Sequence, residues 1–523
     1  MRIRGIAIAA TVVLSAIGAV QAQQPVRGGT LVVGLAQDPP LINPAISTSV
    51  PNLIAGCMIY QGLLDVGPDF KFKPSLAKSW SVSPDGKTYS FDLVEAQWAD
   101  GKPFTSDDVK FSLMEVSAKY SPVWIRTGEQ IESVETPNPR QIVFHMKQPY
   151  GPFTLALPCE NGGAILPAHV FRGSDPRTHK ATTDQPLGLG AFQVGEWKRG
   201  DFLKMVRNPT YRDKEKPYLD AVVFKVITSP AGRIAGLRSG ELDLVPTIPP
   251  NALDEIKADP KLKLEQSNQP PNINLAFYNV DRKPLNDKRV RHALFMATDR
   301  NFLMKNVFFG IGKAGMMPFT SAIPWAADNK IDYEKMYPFN MAKANALLDE
   351  AGVKRDASGK RFALKIVTFR SEYPGLDQTA VAMKGMWKDL GIDVEVDLQE
   401  SAAIVSGLFQ KRDFDIGIVG YGTNADPSLG IARAYTTTGI GQGYGNPSGY
   451  SNPKVDQLFA EAEKAPNQDA RGKIFVEIQT ILAEDLPAMN IREYFQVDAA
   501  SKRLHNMWGA SRGSSFDLGW LSN

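Results

Sequence analysis

The feature that most limits the fold of this chain is a helix pattern followed at once by a strand pattern between residues 376 and 398. In DQTAVAMKGMWKDLG, apolar side chains recur at helical spacing at Met383, Trp387 and Leu390, and Gly391 follows where a helix is expected to end. The segment IDVEVDL then alternates apolar and polar residues, which indicates a strand. A helix that leads directly into a strand is typical of α/β structure, and the stripe explains Met383 and Trp387 as core residues.

The same kind of pattern occurs elsewhere in the chain. GGTLVVGLA predicts a short buried strand that ends at the turn residues DPP, and SWSVSPDGKTYSFDL predicts a hairpin around Pro84-Asp85-Gly86. Asn340 is placed to cap a helix that stops at Gly352. The sequence therefore predicts an α/β chain, and its 523 residues are enough for two or three domains.

The N-terminal segment MRIRGIAIAATVVLSAIGAVQAQQ has the pattern of a secretory signal peptide. Arg2 and Arg4 precede an apolar run, and Val20-Gln21-Ala22 forms a small-residue cleavage site. A membrane anchor is the alternative, but the run is shorter than the roughly 18 residues needed to span a bilayer, and no cysteine stands at the cleavage point to accept a lipid. We therefore expect cleavage after Ala22 and a soluble periplasmic product.

Charge and cysteine content exclude several classes of protein. The formal net charge is +3, of which Arg2 and Arg4 supply two, so no basic field indicates nucleic acid or an anionic membrane as a partner. Cys57 and Cys159 are the only cysteines. An even pair in an oxidising compartment favours a structural disulfide, with two buried thiols as the alternative.

The sequence carries no strong motif for catalysis. Gly509 to Gly513 match GxSxG around Ser511, but the last histidine, His505, precedes the serine, whereas the α/β-hydrolase triad needs a histidine after it. The five histidines form no HxxH or HExxH pair, and no phosphate-binding glycine loop is present. We expect no catalytic residue, metal site or cofactor, and a secreted serine hydrolase is the alternative from another class.

Several long segments together resemble the family 5 extracellular solute-binding proteins, which are dipeptide-, oligopeptide- and nickel-binding receptors of ABC importers. The segments are RGGTLVVGLAQDPPLINPA, KPSLAKSWSVSPDGKTYSFDLVEAQWADGKPFTSDDVKFSL, PLGLGAFQVGEWKRGDFLKMVRNPTYRDKEKPYLDAVVFKVI, RSGELDLV and DKRVRHALFMATDR. The resemblance implies two α/β lobes that are joined by a hinge and close on a solute, with an extra subdomain inserted in the first lobe.

The resemblance also implies domain boundaries. Lobe I would run over residues 23–285 with its inserted subdomain at about 71–185, lobe II over 286–497, and residues 498–523 would return to lobe I. The segments PNINLAFYNVDRKPL and NIREYFQVDAA would hold the two crossings between lobes. The partners implied are a small solute and an ABC permease with its ATPase, and the protein would be a monomer.

The loop GYGTNADPSLG, residues 420–430, follows a predicted strand and is the main candidate for ligand contact. In peptide-binding relatives, the corresponding loop places an aspartate three residues after an aromatic, where it neutralises the ligand's α-ammonium. Here the aromatic is Tyr421, followed by Gly422, but Asn424 stands three residues on, and Asp426 comes two later. An asparagine cannot neutralise a buried cation, so either Asp426 takes that place or the solute lacks a free amino terminus. Alternatively, Asp426 only caps the next helix.

Other cleft residues are implied by the same resemblance. Arg370 could bind a carboxylate or phosphate through two hydrogen bonds, or it could be an isolated surface arginine. The full set of further candidates comprises Asp38, Asn43, Leu189, Phe277, Asn279, Phe369 and Arg370. Leu189 stands where many relatives have threonine, which suggests a more apolar contact. A peptide-like solute is the first expectation, with a metal chelate or an opine-like compound as the alternative.

Overall fold

A computed structural model describes most of the chain outside its N-terminal segment. The described residues are 24–39, 41–47, 49–67, 71–249, 252–266, 272–327, 330–370, 375–400, 403–423, 426–465, 467–494, 497–507 and 514–522. The predicted signal peptide, Asn424 and the GxSxG motif around Ser511 lie outside them.

The strands alternate with helices, as the sequence predicts for an α/β chain. The strands are β1 (Thr30–Leu35), β2 (Leu64–Val66), β3 (Phe72–Pro74), β4 (Ala77–Val82), β5 (Thr88–Leu93), β6 (Ile131–Asn138), β7 (Gln141–Met146), β8 (Phe192–Lys198), β9 (Phe202–Arg207), β10 (Ala221–Val226), β11 (Leu244–Val245), β12 (Leu262–Gln266), β13 (Asn272–Tyr278), β14 (Lys313–Ala314), β15 (Phe362–Phe369), β16 (Ile392–Gln399), β17 (Ile416–Gly422), β18 (Ala488–Tyr494), β19 (Val497–Ser501), β20 (Leu504–His505) and β21 (Trp520–Leu521).

Helices cover these strands, and none of those described is long and apolar enough to cross a membrane. The α-helices are Val50–Ile59, Ser106–Lys110, Ala118–Tyr120, Pro122–Glu129, Ala168–Phe171, Lys180–Thr183, Pro230–Ser239, Leu253–Ala258, Lys288–Met296, Arg300–Asn306, Tyr333–Met336, Met341–Glu350, Leu376–Lys388, Pro427–Gly430, Pro453–Lys464 and Gln468–Asp485. Phe111–Ser117 and Ile404–Gln410 are π-helical.

Two mixed sheets form the centres of the two lobes. Among the described residues, lobe I has a seven-stranded sheet in the order β12-β19-β11-β1-β10-β9-β8, and lobe II has a six-stranded sheet in the order β14-β18-β13-β17-β15-β16. The inserted subdomain has a four-stranded antiparallel sheet in the order β4-β5-β7-β6. The fold is therefore the predicted two-lobed α/β architecture.

The chain passes between the two lobes twice. It leaves β12 at Gln266 and enters β13 of lobe II at Asn272, and it leaves β18 at Tyr494 and returns to lobe I in β19 at Val497. Lobe II thus begins before the predicted boundary at residues 285/286. The boundary lies earlier because β13 is the third strand of the six-stranded sheet and is hydrogen-bonded to both β17 and β18.

Local patterns in the sequence correspond closely to the structure. Trp387 is fully buried in the core of lobe II, and its indole N–H donates to the hydroxyl of Thr298 at 3.1 Å. The Asn340 side chain accepts a hydrogen bond from the backbone N–H of Lys343, so it caps the helix Met341–Glu350. The hairpin predicted around residues 84–86 joins β4 to β5.

The two cysteines form a disulfide in lobe I. Cys57 lies in the helix Val50–Ile59 and Cys159 begins a 3₁₀ turn, with their Cα atoms 5.8 Å apart. The bridge closes a loop with a sequence separation of 102 residues, which contains the whole four-stranded sheet of the inserted subdomain. The disulfide therefore ties the chain that follows this sheet to the lobe I helix Val50–Ile59.

Candidate functional site

One edge of the six-stranded sheet faces the crossings. Asn272, at the start of β13, pairs with Gly422 at the end of β17 and with Tyr494 at the end of β18. β15 runs parallel to β17 and β16 runs parallel to β15, so their C-terminal ends at Phe369 and Gln399 lie on the same side of the sheet. The loop that begins at residue 423 leaves the six-stranded sheet at this edge.

The lobe I ends of the two crossings lie at one edge of the seven-stranded sheet. Gln266 of β12 pairs with Val497 of β19. β19 runs antiparallel to β11, and β1 and β10 run parallel to β11, so β1 ends at Leu35 and β10 at Val226 on this same side. The space between the two edges is the candidate binding cleft, in the place where open α/β sheets usually bind ligands.

Tyr421 lies next to the cleft edge, but its ring points into lobe II. The side chain is 2 % exposed, packs 5.6 Å from the Phe277 ring and donates from its hydroxyl to the carbonyl of Gly445. Burial raises the pKa of this phenol well above its ordinary value. Gly422 is half-buried at the end of β17. Tyr421 therefore shapes the cleft wall from within the core.

Asp426 is buried in an ion pair with an arginine that is distant in sequence. Its carboxylate receives two hydrogen bonds from Arg471, at 2.5 and 2.7 Å, and both side chains are 4 % exposed. Asp426 also caps the short helix Pro427–Gly430 by accepting from the N–H of Ser428 at 2.9 Å. Arg471 in turn donates to the carbonyl of Ala462 and to the Ser428 hydroxyl. The carboxylate already has a cationic partner, which supports the capping interpretation over an amine anchor.

The inserted subdomain touches lobe II beside this ion pair. A Cβ atom at Gly151 would lie 2.9 Å from the carbonyl oxygen of Ala465 and 3.0 Å from Cδ of Arg471. Tyr150, the preceding residue, is buried, and this burial together with the charge of Glu463 raises the pKa of its phenol to about 12. The short helix Pro427–Gly430 therefore follows a residue whose ion-pair partner, Arg471, lies at a contact between the inserted subdomain and lobe II.

Glu463 at this contact gives a prediction about pH. Burial raises the pKa of its carboxyl above the ordinary 4.5 and Asp426 raises it further, while Arg471, Arg126 and Lys464 lower it. Because the folded pKa is the higher one, ionisation of Glu463 opposes folding, and its cost grows as pH rises from the unfolded value through the folded value. We expect Glu463→Gln to raise the melting temperature near pH 7 and to leave it unchanged near pH 4.

Glu461→Gln is the matched control for this prediction, since Glu461 is an exposed residue of the same helix whose carboxylate accepts a hydrogen bond from Gln457. It should leave the melting temperature nearly unchanged at both pH values. A lower melting temperature for Glu463→Gln at neutral pH would contradict the claim that ionisation of Glu463 opposes folding.

The lobe I candidates serve the structure of their own lobe. The carboxylate of Asp38 accepts from the indole N–H of Trp197 at 3.0 Å and from the N–H of Gly200 at 3.2 Å. Asn43 is fully buried and donates to the hydroxyl of Thr182, and Leu189 is part of the apolar core of the inserted subdomain. Asn43 and Leu189 do not reach the cleft, because each is enclosed by its neighbours.

Two of the lobe II candidates lie away from the cleft edge, and two lie at it. Phe277 and Asn279 lie toward the end of β13 remote from the crossings, and the Asn279 amide donates to the carbonyls of Arg412 and Phe414. The structure therefore corrects their assignment to the cleft. Phe369 and Arg370 lie at the cleft edge, but Phe369 is 2 % exposed, and Arg370 forms a 3.3 Å exposed ion pair with Glu400.

Two arginines near the cleft edge were not among the predicted residues. Arg492 on β18 donates to the side-chain oxygen of Asn274, and burial between the rings of Phe308 and Tyr494 lowers its pKa to about 10. Arg433 is exposed, and its guanidinium carbon lies 5.4 Å from the centre of the Tyr421 ring. The only local signal for Arg433 was its closeness in sequence to the loop, and its position over Tyr421 could not be predicted.

Within the part of the chain that the structure describes, no three His, Cys, Asp or Glu side chains come together in an arrangement that could hold a metal ion. Two α/β lobes, joined by two crossings at facing sheet edges, define a two-lobed binding protein.

Comparison with known proteins gives the family. Residues 71–442 match the model for bacterial extracellular solute-binding proteins, family 5 (middle region). The oligopeptide-binding protein AppA of Bacillus subtilis is 28% identical over 480 residues, covering 89% of this chain and 86% of AppA. HbpA2 of Haemophilus parasuis superposes with a TM-score of 0.84 at 22% identity, over 95% of this chain and 100% of HbpA2.

A third similar protein has been solved with a metal complex. NikZ of Campylobacter jejuni in complex with Ni(L-His) has a TM-score of 0.71 at 25% identity, over 94% of this chain and 98% of NikZ. This chain belongs to the family 5 bacterial extracellular solute-binding proteins.

Proposed function

We propose that this protein is the solute-binding component of an ABC importer and that it holds, between its two lobes, a solute with an anionic group and no free ammonium at the loop after β17. In this proposal the protein acts in the periplasm after cleavage behind Ala22, as a monomer, and passes the solute to a permease with its ATPase without chemical change. Family membership supports the binding and transport role.

The observation that carries the solute class is the buried pair of Asp426 and Arg471. A carboxylate that neutralises a ligand's ammonium must be accessible to that ammonium and lack another cation. The Asp426 carboxylate is 4 % exposed, accepts two hydrogen bonds from Arg471 and caps a helix. Exchanging Arg471 for a ligand cation would leave the guanidinium buried without its partner, at a cost of several kcal/mol.

Arg433 supports the anionic part of the proposal. Its side chain is exposed beside Tyr421, near the end of β17 where the loop begins. None of the carboxylates in the described residues forms an ion pair with it, whereas Arg370 at the same edge pairs with Glu400. A guanidinium binds a carboxylate through two parallel hydrogen bonds, so Arg433 is the candidate anchor for the solute's anionic group.

The test is a thermal-shift panel on the refolded, solute-free protein without residues 1–22. The panel contains free dipeptides, N-acetylated dipeptides, opine-like amino-acid derivatives, sugars and a nickel–histidine complex. A solute that binds only the folded state adds about 2.7 kcal/mol of stability at a hundredfold excess over its Kd. We expect N-blocked or opine-like carboxylates to raise the melting temperature more than free dipeptides do.

Arg433→Gln and Arg370→Gln form a matched pair for the same panel. Loss of a charged hydrogen-bonding partner costs roughly 1.5–3 kcal/mol, so Arg433→Gln should weaken binding about tenfold or more. Arg370→Gln removes an equal charge from the same edge and should change affinity little. Preferential binding of free dipeptides, unaffected by Arg433→Gln, would contradict the proposed solute class while leaving the transport role in place.

A metal chelate is the second candidate solute. In the described residues no cluster of side chains could hold a metal unaided, so such a solute would bring its own chelator, as the Ni(L-His) complex of NikZ does. A shift with nickel–histidine, but with neither nickel nor histidine alone, would favour this candidate.

A further inference from the structure

A second cavity lies in lobe I, at the end of the sheet opposite the cleft. Its walls include Phe192 at the start of β8, and β8 is aligned with β1 through β9 and β10, so this point lies beside the N-terminal ends of β1 and β10. β1 reaches the cleft edge only at Leu35, five residues after Thr30, which is about 17 Å. The cavity is therefore separate from the proposed solute site.

The cavity has a volume of about 290 Å³ and mixed walls. Its lining includes the disulfide-bonded Cys57 and Cys159, Met58 and Tyr211. Since one water occupies about 30 Å³ of liquid, the space suits a molecule of roughly ten non-hydrogen atoms.

Asp517 is the unusual group in the wall. No described residue donates a hydrogen bond to its carboxylate or forms an ion pair with it. Three cations line the cavity: Lys216 lies 3.6 Å from Asp213, Arg212 donates to the side chain of Gln61 and to the carbonyl of Ser75, and Lys73 is the third. The Asp517 carboxylate therefore lines the cavity without a hydrogen-bond donor or an ion-pair partner among the described residues.

The pKa of the Asp517 carboxyl is shifted mainly by burial. The pKa of Asp517 is raised to about 6: burial is the largest cause, Asp65 and Asp213 also raise it, and Lys216 and Arg212 lower it. At neutral pH the group is mostly ionised, and a partly buried charge without a partner opposes folding. A cation that enters the cavity would remove that cost.

We propose that this cavity is a second binding site, for a small organic cation whose ammonium or guanidinium group pairs with Asp517 and whose aliphatic body packs against Met58 and Tyr211. The size of the space and its mixed walls fit a short aliphatic amine better than a bare metal ion, because the described residues provide no cluster of metal ligands here. This inference does not rest on the proposed solute.

Isothermal titration calorimetry with agmatine near pH 7.5 tests the proposal, with 1,4-butanediol as an uncharged analogue of the aliphatic body. We expect saturable binding of agmatine and none of the diol. Asp517→Asn should weaken agmatine binding about tenfold or more. Asp213→Asn is the matched control, since it removes the same charge from the wall but from a carboxylate that Lys216 already accompanies, and it should retain affinity.

The wild-type protein supplies a test that needs no variant. Agmatine affinity should fall progressively as pH is lowered from about 7.5 through 6 to 5, because Asp517 becomes protonated. Absence of saturable agmatine binding, equal affinity in Asp517→Asn, or an equal loss in both variants would overturn the proposal. Competition between agmatine and a solute that binds in the cleft would also overturn it, since it would place both in one site.

Discussion

Replacing Arg471 with methionine is expected to lower the free energy of unfolding of lobe II by about 3–5 kcal/mol, since it leaves the Asp426 carboxylate buried without a cation. The change also removes the hydrogen bonds from Arg471 to Ser428 and to the carbonyl of Ala462. Urea unfolding followed by circular dichroism would measure the loss. The effect should be large because the guanidinium also packs against Trp325 and Phe475.

The double variant Asp426→Asn with Arg471→Met is the control for this prediction. It removes both charges, while asparagine retains the ability to cap the helix Pro427–Gly430. We expect it to recover most of the lost stability, because a buried pair can often be replaced by neutral groups at small net cost. If Arg471→Met cost less than about 1 kcal/mol, or if the double variant were no more stable than the single one, the pair would not be buried as described.

Removal of the disulfide is the second change with a large expected effect. Cys57→Ser combined with Cys159→Ser should destabilise lobe I by about 2–5 kcal/mol, and chain entropy favours the upper part of that range because the closed loop is long. Differential scanning calorimetry of the oxidised wild type and the double variant would measure the loss as a lower melting temperature of the lobe I transition.

Reduction of the wild type provides the internal control. Dithiothreitol under unfolding conditions should bring the wild type down to the melting temperature of the double-serine variant, and it should leave that variant unchanged. Equal melting temperatures for oxidised wild type and variant would show that the bridge contributes nothing to stability. A shift of the lobe II transition alone would show that the insertion is not tied to lobe I as described.

Local sequence patterns predicted the fold well because their physical causes are local. The stripe through Met383 and Trp387, the cap at Asn340 and the turn at residues 84–86 each involve residues within a few positions of one another. The order of strands in the two sheets has no such local signal. No local pattern could therefore test the lobe boundary at residue 285 that the resemblance implied, whereas in the structure β13 already pairs with strands of the six-stranded sheet.

The candidate site was only partly predictable for the same reason. Arg471 lies 45 residues from Asp426 in sequence, and no pattern in either segment indicates their pairing. The resemblance implied that Asn43 and Asn279 contact the ligand. In the structure, the side chain of each donates a hydrogen bond to a group of its own lobe. In contrast, the loop after β17 was correctly placed at a sheet edge, because a strand pattern and the turn that follows it can be recognised from the sequence.

The most direct test of the central claim is a crystal structure of the mature protein with the best carboxylate solute from the thermal-shift panel. We expect the solute between the two sheet edges that end at Leu35 and Gly422, with its anionic group hydrogen-bonded to the Arg433 guanidinium and Asp426 still paired with Arg471. A solute bound outside these edges, or an ammonium group seated on Asp426 with Arg471 displaced, would contradict it.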